Sequence, residues 1–232
     1  MRIKRLHDHF YEKEKIRFSN PKMSFIELFK ILKIKPNDSI LDVGSANGEL
    51  LYNLKKRYIN NKLSGFEILP SLIKVLKKNL PKSINIHKVD ITKKINVNEK
   101  FDVIIVSGVI CIFDDYKKPL RALLKILKPN GRIFIFNHFN KYNIDVFIKY
   151  RTRSQNADIL QNGWNIHSIK GLEEFFKVHG KKTKVFKFKP KKGFKGKSND
   201  PVRSWTFKNK KNENLTTNGL SILLDKYWLK FY

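Results

Sequence analysis

The sequence predicts an α/β fold, built on a doubly wound and mostly parallel sheet within one domain of 232 residues. Two observations predict it. Apolar runs of strand length alternate with segments of helical periodicity, and three of the runs end in or beside a carboxylate or a glycine turn. The predicted strands are residues 40–43, 63–67, 84–90, 101–106 and 132–136, and the predicted helices between them are residues 49–58, 71–80 and 119–127.

The first strand passes into a glycine turn that is typical of ligand-binding α/β proteins. Residues 40–50 read Ile-Leu-Asp-Val-Gly-Ser-Ala-Asn-Gly-Glu-Leu. A tight glycine turn between a buried strand and a helix start lets backbone groups approach a nucleotide-like ligand closely. Asp42, one residue before the turn, would repel the pyrophosphate of a dinucleotide, so it favours a ligand with an ammonium group. The pattern is weak by itself, because glycine turns after strands are common.

Later strand ends strengthen this interpretation. Glu67 ends the second run 19 residues after Gly48, an interval that suits a crossover helix and a return strand. A carboxylate at the tip of the second strand can accept hydrogen bonds from both hydroxyls of a ribose. Asp90 ends the third run, and the fourth run ends at Ser107, which a glycine follows.

These ordered motifs resemble class I S-adenosylmethionine (SAM)-dependent methyltransferases, whose first motif is an acidic residue followed by a Gly-x-Gly-x-Gly turn. In this chain, Ala46 replaces the middle glycine of that motif. The resemblance implies a Rossmann-like, seven-stranded sheet with an antiparallel last strand, and SAM as cofactor. It also implies that Asp90 accepts from the adenine amino group and that Ile91 packs on the ring. The predicted SAM-binding residues are Asp42, Gly44, Ser45, Ala46, Gly48, Glu67, Ile68, Asp90, Ile91 and Ser107.

We predict a single methyltransferase domain over residues 1–232 with four segments. Residues 1–38 form an N-terminal helical cap that includes a helix at 23–34, and residues 39–137 form the SAM-binding core. Residues 138–170 are an acceptor-side insertion with a loop and a helix. Residues 171–232 supply a helix at 171–178, a strand at 184–189, a hairpin around the turn at 208–214 and a last strand within 222–232.

Composition excludes several classes of protein. A single cysteine, Cys111, excludes a disulfide framework and a cysteine-based zinc site, and we predict no metal. No apolar run approaches the roughly 18 residues of a membrane-spanning helix. The N-terminus is charged from Arg2 onward and lacks the apolar core of a signal peptide, so we expect a cytoplasmic protein.

The charge of the chain gives only weak support for a nucleic-acid partner. The net charge is +29, but 40 of the 49 basic residues are lysines, and lysine, asparagine, isoleucine and phenylalanine make up 106 of the 232 residues. These amino acids have AT-rich codons, so genome composition explains much of the excess. One basic block, residues 181–197, holds nine lysines among aromatic residues. It fits either an anionic contact or a solvated strand and loop.

Acceptor chemistry is predicted from the region that follows the fifth strand. Ser107-Gly-Val differs from the Asn/Asp-Pro-Pro-Tyr/Phe signature of amino-group methylation on bases or glutamine. His138 is a candidate general base for a hydroxyl acceptor, because a neutral imidazole is available near pH 7; a histidine bonded within a loop is the alternative. The candidate acceptor-binding residues are Tyr142, Arg151, Arg153, Trp164 and His167.

The predicted function is SAM-dependent methyl transfer to a small anionic acceptor, with oxygen as the favoured target atom. Segments 139–147, 200–207 and 217–220 resemble bacterial methyltransferases of small, often glycan-related or nucleotide-linked acceptors. Two alternatives stay open. The chain could be an RNA methyltransferase that docks through its basic C-terminal region, or a catalytically inactive SAM-binding partner subunit.

Overall fold

The computed structural model describes residues 11–12, 20–151, 160–190, 193, 195, 204–217 and 226–232. Its helices are α1 (Met23–Ile31), α2 (Glu49–Arg57), α3 (Pro70–Asn79), α4 (Lys117–Lys125) and α5 (Ile169–Val178), with a 3₁₀ turn at Ile110–Ile112. Its strands are β1 (Ser39–Val43), β2 (Lys62–Glu67), β3 (Asn85–Lys88), β4 (Phe101–Ser107), β5 (Leu127–Asn140), β6 (Lys149–Tyr150), β7 (Gln161–Asn162), β8 (His167–Ser168), β9 (Thr183–Phe188), β10 (Trp205–Lys208), β11 (Asn214–Thr217) and β12 (Lys226–Phe231).

The central sheet has the order β3-β2-β1-β4-β5-β12-β9, with the short strand β8 paired to the end of β5. Strands β3, β2, β1, β4 and β5 run parallel, and β12 is antiparallel to both of its neighbours. The chain moves outward from β1 to β3 and then returns to β4 on the other side of β1. The direction in which successive strands are added to the sheet therefore reverses between β1 and β4. Ligands bind at such a reversal point in open α/β sheets. The predicted fold is confirmed.

β1 illustrates how the sequence places the inner strands. All five of its residues are buried. Leu41 and Val43 pack into the apolar cluster on one side of the sheet, whereas Ile40 packs into the cluster on the other. A parallel strand covered by helices on both faces reads as a continuous apolar run. This is why residues 40–43 predict an inner strand.

α2 begins directly after the glycine turn. Gly48 precedes it at φ +89°, a left-handed conformation that glycine adopts without a steric penalty. Glu49 lies in the first turn, and Lys55, Lys56 and Arg57 lie in the last, so charges of the stabilising sign stand at both ends of the helix dipole. The three predicted core helices begin and end within two residues of the observed bounds.

The fifth strand is longer than predicted. We predicted a helix that ends at residue 127 and a strand at 132–136, but β5 covers Leu127–Asn140. Phe101 pairs with Leu127 and Val103 pairs with Arg132, so the Lys-Pro-Asn-Gly segment is a bulge inside the strand and does not precede it. At its other end, β5 continues to Asn140, beyond Phe136, the last residue that pairs with β4.

The insertion also differs from the prediction. Its described parts, residues 141–151 and 160–168, contain the strand pair β6–β7, a bridge between Val146 and Ile166, and β8. Neither part contains the predicted helix before α5 begins at Ile169, and residues 152–159 lie outside the described residues. The extended segments pack through Ile148 and Ile166 in a small apolar cluster.

The C-terminal segment follows the prediction. α5 covers the predicted helix, β9 covers most of the predicted strand, and β10 and β11 form the predicted hairpin. The last strand, β12, starts at Lys226, and residues 222–225 lie outside the described part, as do residues 191–192, 194 and 196–197 of the basic block. In the described residues, no helix is both long and apolar enough to cross a membrane.

Candidate functional site

A cleft that is partly open to solvent lies at the carboxyl ends of β1, β2 and β4, where strand order reverses. Its lining combines backbone, two carboxylates and apolar walls. The lining residues are Tyr11, Val43, Gly44, Ala46, Phe66, Glu67, Ile68, Leu69, Leu72, Val89, Asp90, Ile91, Ser107, Gly108, Val109, Ile112 and Phe113.

The glycine turn forms one wall of the cleft. Gly44 has φ +72°, and its N–H and that of Ser45 donate to the Phe66 carbonyl at 2.8 and 3.1 Å. A Cβ atom on Gly44 would lie 2.4 Å from Cγ2 of Val109. Glycine is therefore required at position 44 for two reasons: its backbone is left-handed, and Val109 leaves no room for a Cβ atom. Ala46, at φ +48°, shows that the middle position accepts a methyl group.

Glu67 holds the backbone around the cleft. Its Oε2 accepts from the Ala46 N–H at 3.0 Å, and its Oε1 accepts from the N–H groups of Ile68 and Leu69 at 2.8 and 3.0 Å. The carboxylate thus ties the glycine turn to the loop after β2. The same side chain is the predicted ribose ligand. Its position in the cleft lining fits that role, and the backbone bonds fix its orientation.

Asp42 lies beneath the turn and does not line the cleft. Its side chain is buried at 3% exposure. Burial, with a smaller effect of the nearby Glu67 carboxylate, raises the pKa of Asp42 to about 7 against the opposite effects of Ser45 and Lys22. A buried carboxyl group in this state gains from a cation brought close to it. A ligand ammonium group at the turn would provide such a cation.

The remaining predicted cofactor residues divide between lining and support. Asp90 and Ile91 line the cleft, and Asp90 Oδ1 accepts from the Thr92 N–H and hydroxyl at 3.0 and 2.6 Å. Ser45 is buried and its hydroxyl donates to the Asp42 carbonyl at 3.0 Å. A Cβ atom on Gly48 would lie 3.0 Å from both Leu76 and Leu80, so Gly48 permits the packing of α3. Seven of the ten predicted residues line the cleft.

Several lining residues were not predicted. Val43, Phe66, Leu69 and Val89 flank predicted positions along the chain, and strand ends meeting at one edge would have indicated them, whereas Leu72 lies within α3. Tyr11 and Phe113 carry no such signal, because they reach the cleft only through the path of the N-terminal segment and of the loop after β4. Tyr11 fits the predicted cap over the site, although residues 1–10 and 13–19 lie outside the described part.

His138 and Trp164, which were predicted to lie on the acceptor side, lie close together. His138 lies on β5 at 7% exposure, opposite Lys226 of β12, and its ring centroid is 5.9 Å from that of Trp164. Neither residue lines the cleft. Asn137, one residue earlier, binds the 3₁₀ turn: with its amide oriented to satisfy its neighbours, its oxygen accepts from the Cys111 and Ile110 N–H groups at 3.1 and 3.3 Å.

His167 is buried inside the protein and does not line the cleft. It is 1% exposed, its Nε2–H donates to the Phe113 carbonyl at 3.0 Å, and its ring lies edge-on to Tyr116. Burial lowers the pKa of His167, against smaller raising effects led by Asp145, which favours the neutral imidazole. Its hydrogen bond to the Phe113 carbonyl indicates that His167 supports the loop after β4. Because the ring is almost inaccessible to solvent, it offers no surface for the predicted contact with the acceptor.

The other predicted acceptor-side residues lie on the surface of the insertion. Tyr142 is 62% exposed, and the ammonium of Lys141 lies 5.0 Å from its ring centroid. Arg151 is exposed and follows β6 in an irregular segment, not in the predicted helix. Arg153 lies outside the described residues. Across the described parts of the chain, no group of three or more histidine, cysteine or acidic side chains could hold a metal ion.

The chain is similar to known methyltransferases in sequence. A family model for a methyltransferase domain matches residues 34–186, well over half of the chain. The ubiquinone/menaquinone biosynthesis C-methyltransferase UbiE of Wigglesworthia glossinidia brevipalpis is 27% identical over 168 residues, covering 66% of this chain and 64% of that protein. The malonyl-[acyl-carrier protein] O-methyltransferase 1 of Ilyobacter polytropus is 27% identical over 108 residues, covering 46% and 40%. The chain therefore matches less than two thirds of either relative.

The fold is also similar to that of a solved structure with SAM bound. The complex of DhpI with SAM and HEP aligns with a TM-score of 0.60 at 9% identity, covering 98% of this chain and 96% of that one. At this identity the likeness shows the fold alone. The order of the strands and the position of the cleft stand independently of it.

Proposed function

The chain belongs to the class I SAM-dependent methyltransferase family, and from this premise we propose that it transfers the SAM methyl group to a small anionic acceptor, with oxygen as the target atom. One observation carries the cofactor assignment. The cleft at the point of strand reversal brings the tight glycine turn together with Glu67 and Asp90, the carboxylates at the ends of β2 and β3. These carboxylate acceptors fit a ligand whose donors are ribose hydroxyls, the amino group of a base and an ammonium group.

The lining residues have distinct proposed roles. Glu67 accepts from the ribose hydroxyls while its backbone bonds hold it in place. Asp90 accepts from the adenine amino group, and Ile91 packs on the ring. Asp42 attracts the ammonium end from below the turn. Bound SAM would supply an activated methyl group, so the protein's task is to position the acceptor in line and to accept a proton.

The exposed cations of the insertion support an anionic acceptor. Lys141 and Arg151 are exposed on the segment that follows β5, and the Lys141 ammonium lies over the exposed ring of Tyr142. Lys149 is engaged with Asp114 at 2.5 Å, so it is less available to a ligand. A net charge of +29 adds a field that concentrates small anions near the surface. The two named relatives act on carbon and oxygen, so this choice between target atoms rests on His138 as base.

Methyl-labelled SAM and fractionated cell extract test the proposal. The protein is incubated with each fraction, and label is followed into RNA, protein and small metabolites separated by anion exchange. We expect label in an acid-soluble metabolite that anion exchange retains. Label in RNA would instead identify an RNA methyltransferase. Binding of SAM without label in any fraction would favour an inactive partner subunit.

The proposed base is tested on the fraction that accepts label. His138→Ala should lower turnover about 100-fold or more if His138 removes the acceptor proton. Affinity for S-adenosylhomocysteine (SAH), measured by calorimetry, should stay near that of the wild type. His179→Ala is the matched control, because His179 bonds the Phe175 carbonyl after α5 and should leave turnover unchanged. Full activity of His138→Ala would favour catalysis by positioning alone.

A further inference from the structure

Three successive backbone carbonyls beside the cofactor cleft are held by the acceptor-side insertion. They belong to the loop after β4, in which Ile112 and Phe113 line the cleft. The Asn165 N–H donates to the Cys111 carbonyl at 2.8 Å, and Asn162 Nδ2 donates to the Ile112 carbonyl at 3.0 Å. Asn165 Nδ2 donates to the Phe113 carbonyl at 3.1 Å, to which His167 also donates. The cleft wall therefore rests on residues 162–167.

Asn165 is the centre of this arrangement. It is 0% exposed, and its amide uses both its donor and its acceptor functions. Besides the Phe113 carbonyl, Nδ2 donates to Asp114 Oδ1 at 2.9 Å, while Oδ1 accepts from the Ile148 N–H at 2.8 Å. An aspartate could not make the two donations, and an apolar residue would leave the buried Ile148 N–H without its partner and the Phe113 carbonyl with His167 as its remaining side-chain donor.

We infer that Asn165 is a positioning residue for the cofactor: it fixes the loop that carries Ile112 and Phe113, although its own side chain does not line the cleft. This inference rests on the proposed function, because it concerns the affinity of the same cleft for SAM. It also gives the insertion a second role. An acceptor that stabilises the insertion should tighten cofactor binding, and by linkage the cofactor should tighten acceptor binding by the same factor.

A purely structural role for Asn165 makes a different prediction. Loss of a buried amide would then lower the melting temperature without changing the affinity of the folded protein for the cofactor. Asn61 provides the matched control. It is buried at 7% exposure, and its Nδ2 donates to the Lys35 and Asp38 carbonyls at 2.9 Å each, at the opposite end of the sheet. Asn61→Ala should reduce stability alone.

The test is calorimetric titration of the full chain with SAH, together with thermal unfolding. Asn165→Ala should raise the Kd about tenfold, within the range of substitutions that act through an intermediate element. Asn162→Ala removes the bond to the Ile112 carbonyl and a bond from Lys149, which keeps its ion pair with Asp114, and should raise the Kd about threefold. Asn61→Ala should leave the Kd unchanged. If Asn165→Ala does not fold, Asn162→Ala decides, because Asn162 is only partly buried.

A double-mutant cycle tests whether Asn165 affects cofactor binding through Phe113. In a Phe113→Ala background, Asn165→Ala should change the Kd much less than in the wild type, because the wall it positions is already gone. Hydrogen exchange of the peptide at residues 110–116 should also be faster in Asn165→Ala without ligand. An unchanged Kd in both Asn165→Ala and Asn162→Ala would overturn the inference. Absence of SAH binding by the wild type would instead refute the proposed function on which it rests.

Discussion

Gly44 is the residue at which sequence, backbone and site agree most closely. A side chain there meets two obstacles, a left-handed backbone and the methyl group of Val109 at 2.4 Å. Gly44→Ala should therefore destabilise the protein and raise the Kd for SAH at least tenfold, since Val109 must move into the cleft. Gly180 has nearly the same φ, +69°, but nothing lies within 4 Å of an added Cβ.

Gly180→Ala is thus the matched control. It should cost about 1 kcal/mol of stability from backbone strain, with SAH binding unchanged. Calorimetry and thermal unfolding of both variants separate strain from steric exclusion. Equal SAH affinity in Gly44→Ala and the wild type would show that the turn is not the binding wall.

Asp42 gives the protein a predicted pH dependence. Its pKa is about 7 in the folded protein, above the value of 3.8 for an ordinary aspartate, chiefly because of burial. Its contribution to stability is therefore fully present below about pH 4 and is lost as the pH rises through 7. Asp42→Asn should remove this loss, so that the free energy of unfolding falls less between pH 5 and pH 8 than in the wild type.

Asp102→Asn is the control for this measurement. Although burial opposes ionisation of Asp102, bonds from Lys128 and Ser39 lower its pKa, so it does not titrate between pH 5 and 8. Its variant should keep the wild-type pH slope. For the ligand, an ammonium above Asp42 should bind more tightly at pH 8 than at pH 6, with proton release. An identical pH slope in Asp42→Asn and the wild type would contradict the assigned state of Asp42.

At the scale of elements, the parallel strands could be predicted because burial on both faces leaves a continuous apolar run. Residues 40–43 and 101–106 show this, and both lie within observed inner strands. The bulge at residues 128–131 could not be predicted, because the same Pro-Asn-Gly sequence suits a turn between elements. Only its pairing with β4 decides where it lies.

Some residues of the candidate site could likewise be predicted from the sequence, and others could not. Gly44, Glu67 and Asp90 stand at strand ends, so their approach follows from a parallel sheet. Phe113 and Asn165 lie 52 residues apart in sequence and meet through one hydrogen bond, which the Asn165 amide donates to the Phe113 carbonyl. No local pattern marks such a contact. His167 was predicted to contact the acceptor because histidine chemistry is visible in sequence, whereas its burial is not.

Strands β9 and β12 place two lysines with like charge opposite each other. Lys184 and Lys230 are direct partners on neighbouring strands. Burial first, and then Arg132, Lys33 and Lys184, lower the pKa of Lys230. Lys184→Glu should replace repulsion by attraction and raise stability by about 0.5 kcal/mol in low salt.

Lys187→Glu, on the same strand but opposite Tyr227, is the control and should give a smaller gain. Thermal unfolding at low and high salt measures both. The difference between the two variants should shrink in high salt, because screening weakens exposed charge pairs. A larger gain from Lys187→Glu would show that net charge, and not the cross-strand pair, sets the effect.

At the scale of the whole molecule, the positive charge should give weak, unselective affinity for RNA without methyl transfer to it. The affinity should fall with salt, with a log–log slope of about 0.7 for each phosphate neutralised on single strands. Replacing Lys191, Lys192, Lys195 and Lys197 together by Ser should flatten that slope if the basic block makes the contact. Filter binding at several salt concentrations measures it, and selective labelling of one RNA would contradict this expectation.

The crystal structure of the protein with SAH tests the central claim most directly. We predict density for SAH in the cleft at the ends of β1, β2 and β4. The ribose hydroxyls should lie within hydrogen-bond distance of Glu67, the adenine beside Asp90 and Ile91, and the ammonium group over the turn that begins at Gly44. Density at another place, or a reversed ligand with its adenine over the glycine turn, would contradict the assignment of this cleft.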